Sequence, residues 1–206
     1  MPRPLPDKSK ISDGKGRPLE RRPELACCIG RVAIGWSLVE ERLGFTMTQL
    51  LGVEPRRGMT VFRAIYGTPN KVAVVRALAR ERLGKDMQTK LEELLGRYDS
   101  AKWSRDRIIQ GHWYVSDDHS DGLVWADPVD EEAGASEFWS GFAASGGFHE
   151  QVKFARDYSR PRPSYLLFDK TDFEEVFQEF RALAFALTDF VIELKETEEQ
   201  PAAAER

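Results

Sequence analysis

From Pro23 onward, apolar residues return at steps of three and four: Ile29, Val32, Ala33, Trp36, Val39, Leu43, Met47 and Leu50. That spacing gathers them on one face of a long helix. Glu40 is the exception, a carboxylate on the apolar stripe between Trp36 and Leu43. Gly52 and Pro55 predict the helix end, and a short segment from Thr60 to Tyr66 leads to a Gly-Thr-Pro start signal. A third helix is predicted over Pro69 to Leu83, with Val72, Val75, Ala79 and Leu83 on one face. The fourth begins near Lys85, and its stripe reads Met87, Leu91, Leu94, Tyr98, Ala101, Arg105, Ile108 and His112. This count carries the helix through Gly111, so two polar residues close an apolar face. Arg105 and His112, about two turns apart, then lie nearly above one another, while Arg107 points roughly 160° away from Arg105.

Beyond His112 the period changes to two, in Trp113 to Ser116 and again in Leu123 to Ala126. With DDHSDG between them, these runs predict a β-hairpin. Residues 127 to 164 are rich in Gly, Ser, Pro and charge, with Phe138, Trp139, Phe142 and Phe148 available to pin a loop, and no element is predicted there. The last helix has Thr171 and Glu174 as a capping box and a stripe of Phe173, Phe177, Phe180, Leu183, Leu187, Phe190 and Leu194. The expected fold is mainly all-α: an antiparallel bundle of about five helices, with a hairpin and long loop over about 113–168 inserted before the last helix. One domain over 24–195 is expected, between a disordered basic leader, 1–23, and a disordered tail, 196–206. The β-α alternation of a parallel-sheet enzyme is absent, as are internal repeats.

Composition narrows the setting. Of 206 residues, 41% are hydrophobic and 31% charged, and no apolar run approaches the roughly 18 residues that span a bilayer. No membrane association is therefore expected. MPRPLPDKSK lacks the apolar core of a secretory signal, which predicts a cytoplasmic, reducing location. Cys27 and Cys28 are adjacent and read as small buried residues rather than a redox pair. The net charge of −4 is unevenly spread: residues 1–23 carry seven Lys or Arg against three acids. The remaining chain is acidic.

A cationic Arg105 on a core stripe is costly unless paired, and so is a carboxylate at Glu40, so the two are expected to meet. Breaking such a pair costs about 3–5 kcal/mol when it is buried, whether or not it serves catalysis. His119 among Asp117, Asp118 and Asp121 has donor types for a divalent ion, but Asp, Ser and Gly at a hairpin tip are ordinary turn chemistry, and no metal site is expected. His149 has no cluster around it. Lys153, Arg156, Arg160 and Arg162, interleaved with Phe154 and Tyr158, have the chemistry to hold single-stranded RNA, or form an exposed connector. There is no Gly-rich phosphate loop, no nucleophile motif and no cofactor signature.

RDRIIQGHW, residues 105–113, resembles the helix-end signature of HEPN-superfamily proteins, and Trp36 four residues before Glu40 with the Phe-Asp-Lys-Thr-Asp-Phe start of the last helix resembles relatives with an R-N-x-I-x-H-G-x-W motif. The resemblance covers roughly 25–195 and is specific only at 105–113. It implies a helical bundle, a homodimer, RNA as the target, and a bacterial toxin, phage-defence or stress setting with a possible antitoxin partner. Active members are metal-independent endoribonucleases whose Arg and His promote attack of a ribose 2′-OH on the adjacent phosphate. Two alignments of the motif stand open. In one, Gly111 and Trp113 match the G-x-W end and the histidine place is taken by Gln110, which does not titrate; the chain is then an inactive binding or assembly module. In the other, Arg105 and His112 are the catalytic pair, Glu40 orients Arg105, Asp106 and Arg107 shape the cleft mouth, and Tyr114 completes a variant motif.

Overall fold

The computed structural model describes residues 2–6, 9–12, 17–147, 150–151 and 164–204, with side chains to residue 197. It is mainly helical with a small antiparallel sheet. In chain order the described elements are β1 (Arg3–Pro4), β2 (Ile11–Ser12), α1 (Pro23–Leu51), α2 (Pro55–Ala64), α3 (Thr68–Arg82), α4 (Lys85–Gln110), β3 (His112–Ser116), β4 (His119–Ala126), α5 (Pro128–Ala144), β5 (Leu166–Phe168) and α6 (Lys170–Ala204). The chain divides into two compact units. The first joins the residues up to Gly30 with Asp106–Glu175; the second joins Arg31–Arg105 with the chain from Val176 onward. The boundary falls inside α1, α4 and α6, which a helical periodicity does not register because the period continues across it.

The first unit holds the sheet, in the order β1-β5-β4-β3-β2 with every pairing antiparallel. The hairpin of β3 and β4 is therefore its centre rather than an isolated insertion. The leader supplies both edge strands: Arg3 and Pro4 pair with β5, and Ile11 and Ser12 pair with β3. This corrects the expectation that the whole leader is disordered. Leu5 is buried against Val124 and Leu167, with Ile11, Tyr114 and Tyr165 packed around them, so a leucine in a polar stretch adds an apolar anchor to the strand pairing. The DDHSDG tip is engaged in the same docking. Ser9 Oγ lies 3.2 Å from His119 Nε2, Lys10 N–H donates to Asp118 at 2.8 Å, and Arg21 pairs with Asp117 at 3.0 Å. Among the described residues no group of three or more His, Cys, Asp or Glu is arranged to hold a metal ion.

α4 ends at Gln110, one residue before the point where the stripe count assumed it continued, and His112 opens β3. The reason is local. A Cβ on Gly111 would stand 1.6 Å from the Trp125 indole nitrogen, so glycine is needed for the close approach. That indole N–H donates to the Arg107 carbonyl at 2.7 Å, and the Trp113 indole donates to the Ile108 carbonyl at 3.1 Å. The Ile108 carbonyl thus takes its donor from the hairpin instead of from another helical turn, and the Arg107 carbonyl, which also accepts from Gly111 N–H at 3.1 Å, takes a second one. Behind the hairpin, Trp113 meets Phe168 and Phe173 at ring-centroid distances of 5.2 and 5.7 Å.

In the second unit the core is built from the predicted stripes. Val32, Trp36, Val39, Leu43 and Met47 of α1 are buried, as are Val72, Val75 and Ala79 of α3 and Phe180, Leu183, Leu187 and Phe190 of α6. Trp36 packs on Tyr98 at 5.0 Å and on Phe180 at 5.7 Å. On α4 the buried set is Leu91, Leu95, Tyr98 and Ala101, so the stripe runs through Leu95 rather than Leu94. Gly52, at φ 65°, closes α1.

The cap of α6 is the reciprocal pair Asp169 and Asp172, not Thr171 and Glu174. Asp169 Oδ1 accepts from Thr171 and Asp172 N–H at 2.8 and 3.2 Å, and Asp172 accepts from Asp169 N–H at 2.9 Å. Its backbone continues to Ala204, through most of the expected disordered tail. Cys28 is buried and Cys27 exposed, and neither is in a disulfide. No helix among the described residues is long and apolar enough to cross a membrane.

Candidate functional site

Strand alternation decides the site. His112 and Tyr114 are two apart on β3 and project to one face of the sheet, while Trp113 between them projects to the other, where it caps α4. The face of His112 and Tyr114 meets α5. Asp127 caps that helix, accepting from Val129 N–H at 2.9 Å, Pro128 follows at its first position, and Asp130 and Glu131 stand in the first turn, favoured by the helix dipole.

Glu131 is the buried member of the set, its side chain 8% exposed. Its Oε2 lies 2.6 Å from His112 Nδ1, and Tyr114 Oη donates to both carboxylate oxygens at 2.7 and 2.8 Å. The imidazole is half exposed at 50%. A carboxylate at Nδ1 fixes the ring orientation, places the Nδ1 proton towards itself and leaves Nε2 as the nitrogen that faces solvent. Gly111, His112, Trp113 and Tyr114 line a groove of about 520 Å³, whose other wall is the leader segment Arg17, Pro18, Leu19 and Glu20. Arg17 pairs with Glu20 at 3.3 Å in a highly exposed bridge, so its guanidinium is at the groove and accessible. Such surface pairs are worth little and open readily.

The other expected site residues are placed as follows. Glu40 accepts from Lys71 Nζ at 3.4 Å and from Tyr98 Oη at 3.1 Å, which replaces the expected pairing with Arg105. Lys71 reaches it from α3, and its ammonium also lies 4.5 Å above the Phe62 ring. A helical stripe shows that Glu40 needs a partner but not which helix supplies it. Burial, and secondarily the Glu40 charge, pushes the Tyr98 hydroxyl far above the usual tyrosine range. Arg105 is half-buried and belongs to the second unit, whereas Asp106, Arg107, Gln110, His112 and Tyr114 belong to the first. Arg107 stacks over Trp125 at 5.2 Å; burial lowers its pKa, opposed by the charge of Asp127. Gln110 is exposed at the end of α4. Lys153, Arg156, Arg160 and Arg162, with Phe154 and Tyr158, lie outside the described residues, as does His149.

Glu131 and Arg17 are the functional candidates that sequence reasoning missed. Asp127-Pro128 followed by acids is a helix start signal that would have found α5, and with it Glu131. Nothing local to Arg17 marks it. Comparison of the chain with protein-family models, with curated proteins and with solved structures gives no match.

Proposed function

We propose that the chain is a HEPN-like, RNA-directed protein of a bacterial toxin, phage-defence or stress system, an antiparallel helical bundle that cuts RNA without a metal and acts as a homodimer. The observation that carries the reading is the 2.6 Å contact between a buried Glu131 and a half-exposed His112 at an open groove. In the reaction, His112 Nε2 takes the proton of a ribose 2′-OH as that oxygen bonds to the adjacent phosphorus. The bond from phosphorus to the 5′-oxygen breaks, and that oxygen takes a proton from water, leaving a 2′,3′-cyclic phosphate and a 5′-hydroxyl. Glu131 orients the ring and stabilises the imidazolium that forms, and Tyr114 holds Glu131. Arg17, at the groove, supplies a cation for phosphate charge, the role that the resemblance gives to Arg105.

The test is cleavage of a labelled single-stranded RNA by the purified chain, with the ends of the products identified. His112→Ala is expected to lower the rate by about 100-fold or more, the usual contribution of a general acid–base group. An unchanged rate would sink the assignment. The second reading is a binding or assembly module, with an antitoxin or another protein as partner. It is favoured by Gln110 at the helix end and by the strand position of His112, which breaks the helical stripe shared with Arg105. It predicts a stable complex and no cleavage by the wild-type chain.

A further inference from the structure

The chain is acidic overall, yet residues 55–82, the α2–α3 arm, hold seven Lys or Arg and a single acid, Glu81. Two of the seven are answered: Arg76 by Glu92 at 2.9 Å and Lys71 by Glu40. Arg56, Arg57 and Arg63 on α2 are exposed, and their guanidinium groups meet no carboxylate among the described residues. α2 buries Gly58, Met59 and Phe62. Arg56, Thr60 and Arg63, at steps of four and three, therefore share one flank of its open side.

Two further features go against what stability alone favours. Arg56 and Arg57 sit in the first turn of α2, the positive end of the helix dipole, where acids are preferred; that turn has none. Glu54 answers only the backbone, accepting from Arg56 and Arg57 N–H at 3.0 and 3.3 Å. Beyond the other end of α2, Tyr66 is 92% exposed in the turn before α3. An aromatic ring standing in water on the same arm as three unanswered guanidinium groups matches a polymer with a charged backbone and flat bases.

We propose that the open side of α2, with Tyr66, is a docking surface for single-stranded RNA: Arg56, Arg57 and Arg63 on successive phosphates and Tyr66 stacked on a base. This rests on the RNA-directed reading but not on catalysis. The arm lies in the second unit, and the groove of His112 in the first.

The experiment titrates the full chain into fluorescein-labelled 2′-O-methyl U20, which lacks the attacking hydroxyl and is not cut, and reads anisotropy between 50 and 200 mM NaCl. The triple variant Arg56→Gln, Arg57→Gln, Arg63→Gln is expected to bind at least tenfold more weakly, with the slope of log K against log salt reduced by about two, since each phosphate contact on a single strand contributes roughly 0.7. The Arg→Lys triple keeps the charge and is expected to keep the slope. Tyr66→Ala is expected to lose roughly fivefold or more with the slope unchanged, while Tyr66→Phe binds as wild type. An unchanged affinity and slope in the Gln triple would overturn the proposal. So would a loss in the Lys triple as deep as in the Gln triple, or equal binding of duplex DNA or of phosphatidylserine vesicles. His112→Ala is expected to bind this probe like wild type. A chain that binds through α2 yet cuts no RNA would overturn the catalytic reading alone.

Discussion

Glu131 in the first unit and Glu40 in the second are held by the same kinds of group, a tyrosine hydroxyl and a basic nitrogen. They differ in what the basic nitrogen is and in how far it is open to water. For Glu40 it is the ammonium of Lys71, 15% exposed; for Glu131 it is the imidazole of His112, half exposed. Tyr98 is fully buried in the core, whereas Tyr114 is only half-buried beside a groove. One carboxylate answers a lysine and a core tyrosine, and the other holds an imidazole at a surface. A charged residue on an apolar stripe is thus a weaker guide to chemistry than a buried carboxylate behind an exposed titratable ring.

The same substitution made twice separates them. Glu40→Gln leaves Lys71 without its anion, and the half-open setting reduces the cost of a fully buried broken pair to about 2 kcal/mol, seen as a lower urea midpoint. Glu131→Gln keeps an acceptor for Tyr114 and is expected to leave the midpoint nearly unchanged while RNA cleavage falls about tenfold. If Glu131→Gln costs as much stability as Glu40→Gln, the contrast fails.

The next effect is on pH. Because the Tyr98 hydroxyl titrates above its unfolded value of 10.0, its contribution is complete below that pH. Above it the unfolded tyrosine ionises and the buried one does not. Stability then falls by at most about 1.4 kcal/mol per pH unit until the folded pKa is reached. Urea midpoints at pH 8 to 11 should decline, and the decline should be shallower in Tyr98→Phe; parallel curves would contradict the assignment. The smallest effect is expected from Tyr114→Phe, which removes one donor from Glu131 and costs about 1 kcal/mol or less. Its cleavage rate should drop only a few-fold, and a loss as large as that of His112→Ala would make Tyr114 a reacting group.

The helices were largely legible in the sequence because apolar residues at steps of three and four leave a record many residues long. α1, α3, α4 and α6 have such records. β1 and β2 do not, since a two-residue strand cannot show alternation; only Leu5 hints that the leader docks. The site was legible in half. His112 and Tyr114 stand in the segment that periodicity and resemblance both singled out, but the stripe was run two residues past the end of the helix. Gly111 and two tryptophans stop it through contacts made by a strand that begins later in the chain. Glu131 was hidden because α5 carries a weak apolar face, leaving its Asp-Pro start as the usable mark.

The cross-strand pair Trp113 and Trp125 has a consequence for the geometry of the groove. Both indoles must stand on the side of α4 to reach the Arg107 and Ile108 carbonyls. If β3 slid by a single residue, Trp113 would face the opposite side, His112 would turn away from Glu131, and one of the two carbonyls would lose its donor. The end of the helix thus acts as a gauge for the strand: the hairpin fits it in one register, and in that register the imidazole faces the carboxylate.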